Sequence, residues 1–218
     1  MKNQAELNRI IKAATKESGK RLGWSFSRGF LFCKKDRLFF YLLGSASKSS
    51  KKLYFHLRYK WFDFDDVFWD VVSLPENKNQ PLSFHAAGAF TMPGNEIYKH
   101  ELVVKDFETF AFSPHVRSVL ETTNTVADDL AMKIRTVNEN IIHLRKLFAQ
   151  HLIEYPGSVH DIYKEELITL LINNDYSGAA LLINDRISQS DSGSFQFGSK
   201  SFYEVAKEYI SKMRIEIN

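Results

Sequence analysis

The chain is predicted to be α+β, an N-terminal helix on a four- to five-stranded antiparallel meander followed by a C-terminal helical subdomain. One change of hydrophobic period, and an apolar stripe ahead of it, carry that prediction. Leu7, Ile10, Ile11 and Ala14 form one stripe at helical spacing. Between Trp24 and Val104 apolar residues then tend to alternate with polar ones, the period of a strand, and from about Val126 they recur every three or four residues. Runs of strands followed by runs of helices give segregated α+β rather than interleaved βαβ units. The predicted boundary places a sheet domain at 1–112 and a helical subdomain at 113–218, packed on or beside it.

The first helix spans about Gln4 to Lys20 and ends at Gly19 and Gly23. Trp24, Phe26, Phe30 and Phe32 share one parity, so a first strand carries an aromatic ladder on one face and turns at Lys34-Lys35-Asp36-Arg37. The second strand, Leu38 to Leu43, is apolar on both parities, as befits a central strand covered on both sides. A Ser/Lys-rich loop follows from Gly44 to Lys52. In the third strand Leu53, Phe55, Leu57, Tyr59 and Trp61 point one way, and Tyr54, His56, Arg58 and Lys60 the other. Asp63 is placed to N-cap a short helix whose inner face is Phe64, Val67, Phe68 and Val71, with Asp65 and Asp66 favourable in its first turn. Pro75 to Pro81 reads as a polar loop. A fourth strand is expected over about Leu82 to Phe90 and a fifth over about Glu96 to Val104, separated by Pro93-Gly94-Asn95.

Residues 105–125 are ambiguous, with Phe107, Phe110 and Phe112 as core and Pro114 interrupting any helix. Leu130, Ile134, Val137, Ile141, Leu144 and Phe148, spaced 4-3-4-3-4, predict one long helix ending near Tyr155-Pro156-Gly157. Ser158 and Asp161 resemble a capping box for the next helix. Asn173-Asn174-Asp175 breaks it, a third helix runs over about Tyr176 to Ser188, Gln189 to Ser199 is a flexible loop or lid, and a last helix covers Lys200 to Met213.

The chain is long enough at 218 residues to bury a proper core, and no apolar stretch is long enough to span a bilayer. The N-terminus lacks the apolar core of a signal peptide, and the single cysteine, Cys33, excludes an internal disulfide, so a reducing cytoplasm is the expected location. Cys33 reads as a buried thiol that packs as a small hydrophobe. The net charge of +3 hides a split: residues 1–62 hold 15 Lys/Arg against 3 Asp/Glu, and residues 63–218 hold 14 against 23. Such a split marks either a polyanion-binding face or two layers that attract each other.

In a four-stranded meander the loop between the second and third strands lies beside the end of the first helix. On that geometry Lys20, Arg21, Lys48, Lys51 and Lys52 gather at one sheet end with no local acid, the best candidate for a phosphate-binding surface. Lys34, Lys35 and Arg37 lie at the other end, facing Asp63, Asp65, Asp66 and Asp70. Asp63, Asp65 and Asp66, with His56 or His85 nearby, are candidates for a divalent-metal site, and helix capping explains the same residues with ordinary parts. His85 reads as a structural histidine. His115, His143, His151 and His160 show no ligand spacing. A Gly-rich phosphate loop, His-Glu-x-x-His, Cys-x-x-Cys and a nucleophile elbow are all absent from the sequence, so no cofactor is called for. The seam from Leu130 to Phe148 is core or a coiled-coil dimer interface, which leaves monomer and dimer both open.

Arg21-Leu22-Gly23-Trp24, Phe30-Leu31-Phe32, the run Tyr59 to Asp70 and Gln80-Pro81-Leu82-Ser83-Phe84 together resemble a bacterial domain of unknown function 4304-like family. The resemblance covers about residues 4–110 and implies no catalytic residues. Three functional expectations follow. The first is a non-enzymatic bacterial protein-binding module, with an immunity-like inhibitor of a toxin partner as its specific form, although a pI of 8.8 suits a basic toxin poorly. The second is a nucleic-acid or phosphate binder using the five basic residues. The third is a metal-dependent hydrolase centred on Asp63, Asp65 and Asp66.

Overall fold

The computed structural model of the chain describes residues 2–156 and 162–217, with side chains through Met213. The expected capping pair Ser158 and Asp161, and His160, lie outside the described residues. The protein is mixed α+β, with an N-terminal helix, a five-stranded antiparallel sheet and then helices. It divides into two compact units, residues 1–62 with 81–135 and residues 63–80 with 136–218. The 112/113 boundary expected from the sequence falls inside the first unit.

In the first unit, helix α1 (Gln4–Arg21) is N-capped by Asn3, whose side chain accepts the Glu6 amide at 2.9 Å. It leads into β1 (Ser25–Ser27), β2 (Phe30–Lys35), β3 (Leu38–Ser47), β4 (Lys52–Trp61) and β5 (Asn95–Val103), an all-antiparallel meander in sequence order. The single first strand expected over Trp24 to Cys33 is in fact a hairpin. Arg28 and Gly29 both take positive φ (51° and 91°), as the two-residue turn that best matches strand twist requires. The aromatic ladder is therefore split: Trp24 donates its indole N–H to Asn124, while Phe30 and Phe32 join a different cluster. β3 also runs on to Ser47, through what read as loop. The expected strand over Leu82 to Phe90 is not formed; a short helix α2 (Phe84–Ala87) stands there.

β3 is covered on both sides, as its sequence required: Leu38 to Leu42 are all buried. One sheet face packs against α1 and against α3 (Phe112–Lys133), with Leu7, Ile11, Leu31, Leu53, Phe55 and Leu57 essentially inaccessible. Pro114 does not interrupt α3. It occupies the first turn, where a backbone N–H has no helical acceptor to lose. The other face carries Phe32, Phe39 and Tyr41 with Phe30, Phe62 and Ala86. The segment 81–94 lies over it, tied by polar bonds. Buried Lys60 donates to the Met92 carbonyl at 2.9 Å, and the Gly94 N–H donates to the Tyr41 hydroxyl at 2.9 Å.

The second unit contains α4 (Asp63–Val71), the 3₁₀ turn Pro75–Asn79, α5 (Val137–Glu154), α6 (Tyr163–Ile172), α7 (Tyr176–Ser188), the small hairpin Gln196–Phe197/Lys200–Ser201 and α8 (Phe202–Ile217). The long helix expected through the Leu130–Phe148 seam is two helices, α3 and α5, broken over Ile134 to Thr136. Thr136 starts α5 with a capping box: its hydroxyl accepts the Glu139 amide at 3.1 Å, and Glu139 accepts the Thr136 amide at 3.0 Å. The Leu130–Phe148 seam is therefore divided between two helices. The expected lid at Gln189 to Ser199 is anchored. Phe195 packs edge-on to Phe68 at 5.4 Å, and the Asp191 amide donates to the Arg186 carbonyl. Arg186 is itself buried, stacked 3.8 Å from the Tyr163 ring and paired with Asp185.

Gly44 in β3 lets α1 reach the sheet. A Cβ there would stand 2.9 Å from the Phe55 ring and 3.3 Å from Ile11 Cγ2, and both neighbours are buried. Gly44→Ala gains about 0.5–1 kcal/mol of strand propensity and loses about 1–3 kcal/mol to overpacking. The expected outcome is a lower urea midpoint with an unchanged m-value.

Candidate functional site

The five basic residues singled out from sequence do not meet. Gln4, in the first turn of α1, donates to the Ala46 carbonyl and accepts the Lys48 amide, so the β3–β4 turn lies at the start of α1. Lys20 and Arg21 lie in its last turn, where Trp24 N–H bonds back to Gly19 and Trp24 reaches Asn124. The 18 residues of α1, about 27 Å at 1.5 Å each, separate the two groups. Two of the five are also paired within the chain, Arg21 with Glu17 at 2.6 Å and Lys52 with Glu101 at 3.0 Å. The Glu101 carboxyl is held below the usual range, first by its hydrogen bond from Lys99 and then by that from Lys52.

A different basic surface fills the gap. On α1, Arg9, Lys12, Lys16 and Lys20 are all exposed. At 100° per residue they fall within roughly 80° of arc, opposite the buried stripe of Leu7, Ile11 and Ala14. They extend over about 16 Å of helix axis. None of the four forms an ion pair among the described residues. Exposed Arg28 stands in the β1–β2 turn, and Gly29 of that turn lies beside the Lys12 side chain, so a fifth cation flanks the row. The first unit as a whole holds 20 Lys/Arg against 10 Asp/Glu, a balance of +10, and the second 9 against 16, a balance of −7.

The acidic run lies in α4. This helix begins at Asp63, so Asp63, Asp65 and Asp66 form its first turn, with Asp65 buried, and Asp70 takes Lys78 at 2.6 Å. No group of three or more His, Cys, Asp or Glu among the described residues is arranged to hold a metal ion. Lys34 lies 3.7 Å above the Phe62 ring, and Lys35 pairs with Asp128 and Asn124. His85 is buried on α2 with its ring 4.4 Å from Phe62 and 5.6 Å from Phe39, and His56 pairs with Glu96 at 2.6 Å. Among the described residues no helix is long and apolar enough to cross a membrane.

Compared with protein-family models, with curated proteins and with solved structures, the chain matches none.

Burial pushes the Cys33 thiol up to about 12, with nearby Lys35 lowering it less. The thiol is the protonated, unreactive form at neutral pH. Cys33 is therefore expected to resist a thiol-disulfide reagent at pH 8 in the folded protein and to react fully in denaturant. Because the folded pKa lies above the unfolded one, Cys33 contributes stability below pH 9 that is lost as pH rises from about 9 towards 12. Cys33→Ala should flatten that part of the stability profile in urea titrations.

Proposed function

We propose that the chain binds nucleic acid through the outward face of α1. The observation that supports this is the uncompensated row Arg9, Lys12, Lys16 and Lys20, in a unit whose balance is +10. Exposed lysines and arginines at helical repeat reach successive phosphates of a backbone, and affinity comes from counterion release rather than from base contacts. A phospholipid surface shares the phosphate chemistry. Interfacial helices, however, hold by inserting an apolar face, and the apolar face of α1 is committed to the core through Leu7 and Ile11. α1 itself carries no aromatic residue, which favours the duplex backbone over stacked single strands.

A second reading, the protein-binding module of the immunity type, rests on a different surface. Ile142, Leu152, Ile153 and Tyr155 on and just after α5 are exposed, Ile153 by 80%. An apolar surface of this kind suits a protein partner. The resemblance to an uncharacterised bacterial family adds no residues to either reading.

Four phosphate contacts give a log–log salt slope of about −3.6 on duplex DNA, hence a roughly 10²-fold weaker affinity at ~200 mM than at ~50 mM salt. Fluorescence anisotropy with a labelled duplex of arbitrary sequence measures both. Lys12→Glu with Lys16→Glu should lower the slope by about 2 and leave the melting temperature unchanged or higher. An affinity that is flat with salt, or equal in the double variant, overturns the reading. If the second reading holds instead, Ile153→Asp, and not the lysine pair, removes the complex seen by native mass spectrometry of the purified partners.

A further inference from the structure

The two edges of the sheet are unlike. β1 is three residues long and ends in a tight turn, so it offers little backbone. β5 is nine residues long and, among the described residues, has only β4 beside it in the sheet. A long free edge is a template for pairing unless something blunts it. Here the direction of each backbone group follows from one bond: the Val104 N–H donates to the Lys51 carbonyl at 2.8 Å, towards β4. In a strand the groups alternate, so Leu102 and His100 also turn towards β4, while Val103, Glu101 and Lys99 turn their N–H and C=O outward. That alternation holds as far as the bulge opposite Leu57 and Arg58. Val103 is 66% exposed at the open edge.

We propose that two copies of this chain pair antiparallel along the free edge of β5 about a two-fold axis at His100, setting Lys99 of each copy against Glu101 of the other. Charge favours this register, since it sets opposite charges across the axis. An axis at His100 makes each Lys99–Glu101 match a hydrogen-bonded pair whose outward groups are the ones left unused by β4, and it brings Tyr98 opposite Leu102. An axis at Lys99 would set lysine against lysine, and one at Glu101 would set glutamate against glutamate, both unfavourable directly across strands. Within one copy Lys99 and Glu101 already lie 2.7 Å apart and Glu101 also takes Lys52 at 3.0 Å. In the pair, Glu101 keeps its own Lys52 and receives a second lysine from the partner, so no charge is left buried alone. The two-fold operator is the isologous contact that closes a dimer and leaves only the short β1 edges open. The contact is small, so the dimer is a weak one that forms with concentration.

Sedimentation equilibrium of the full chain, up to the high-micromolar range at physiological salt, tests this. The expected result is a concentration-dependent monomer–dimer equilibrium. Glu101→Lys should weaken it roughly tenfold by opposing lysines across the axis. Lys99→Glu combined with Glu101→Lys should restore it by exchanging the charges. Glu101→Pro removes an outward N–H that β4 does not use and should give a monomer; unchanged melting temperatures show that the variants remain folded. A wild-type chain that stays monomeric throughout the range, or a dimer indifferent to Glu101→Lys, overturns the proposal.

Discussion

The first unit depends on one strand that water must not reach from either side. β3 buries five consecutive residues, Leu38 to Leu42, and its hydrogen-bonding groups are used by β2 and β4. Side chains of alternating parity therefore need two separate covers. The first cover is ordinary: α1 and α3 bring aliphatic stripes, and Gly19 and Gly44 allow close approach. The second cover is thin. The segment 81–94 supplies Ala86, His85 and Met92, too little apolar surface to hold a loop by burial alone. Its polar bonds do the holding. Losing one partner of a buried hydrogen bond costs about 1–3 kcal/mol, so the bonds from Lys60 to Met92 and from Gly94 to Tyr41 rival the burial of a whole side chain. This accounts for a lysine inside the sheet. Lys60 has the parity of the open face, but that face is roofed at its end of β4.

The outer face of α1 follows the opposite logic. A surface helix that served only to cover the sheet would gain from alternating charges at i and i+4. α1 has one such pair, Glu17 with Arg21. Lys12, Lys16 and Lys20 instead repeat at like-charge spacing, which costs a helix about 0.2–0.5 kcal/mol per pair. None of the four cations is ion-paired among the described residues, although Glu6 and Glu17 stand three residues before Arg9 and Lys20. That small helical cost has no return visible in the fold, and it is the feature on which the proposed anion-binding role rests.

The large divisions of the fold were legible because period and burial agree over long stretches. β4 shows this best: its five inward residues all came from simple alternation. Errors arose where a short turn interrupts a pattern that would otherwise continue. Arg28-Gly29 sits between aromatic residues that keep the same parity, so a hairpin read as one strand, and one missing reversal put Lys20 and Arg21 at the wrong end of the sheet. The signal was there, since a residue followed by glycine between apolar runs is a hairpin turn. Thr136-Val137-Asn138-Glu139 likewise spells a capping box inside a heptad-like seam, and the seam's regularity concealed it. The segment 82–90 is harder. Its alternation is weak, and the chain just beyond it is held by tertiary bonds, Lys60 to Met92 and Gly94 to Tyr41, that no local pattern encodes. The row on α1 was visible as the positions off the apolar stripe, but only the structure shows them unpaired.

The cationic row and the open edge answer to different ranges of the same force. The chain carries +3 in all, because the −7 of the second unit offsets much of the +10 of the first, so net charge sets only a weak barrier to association of two copies. At ~0.15 M salt the screening length is about 8 Å, and a contact as local as the proposed Lys99–Glu101 match lies well inside it. The proposed hold on a phosphate backbone is different in kind: it comes from counterion release and falls steeply with salt whatever the local geometry. Salt dependence therefore separates the two proposals, since a steep loss of affinity belongs to the row on α1 and not to the edge of β5.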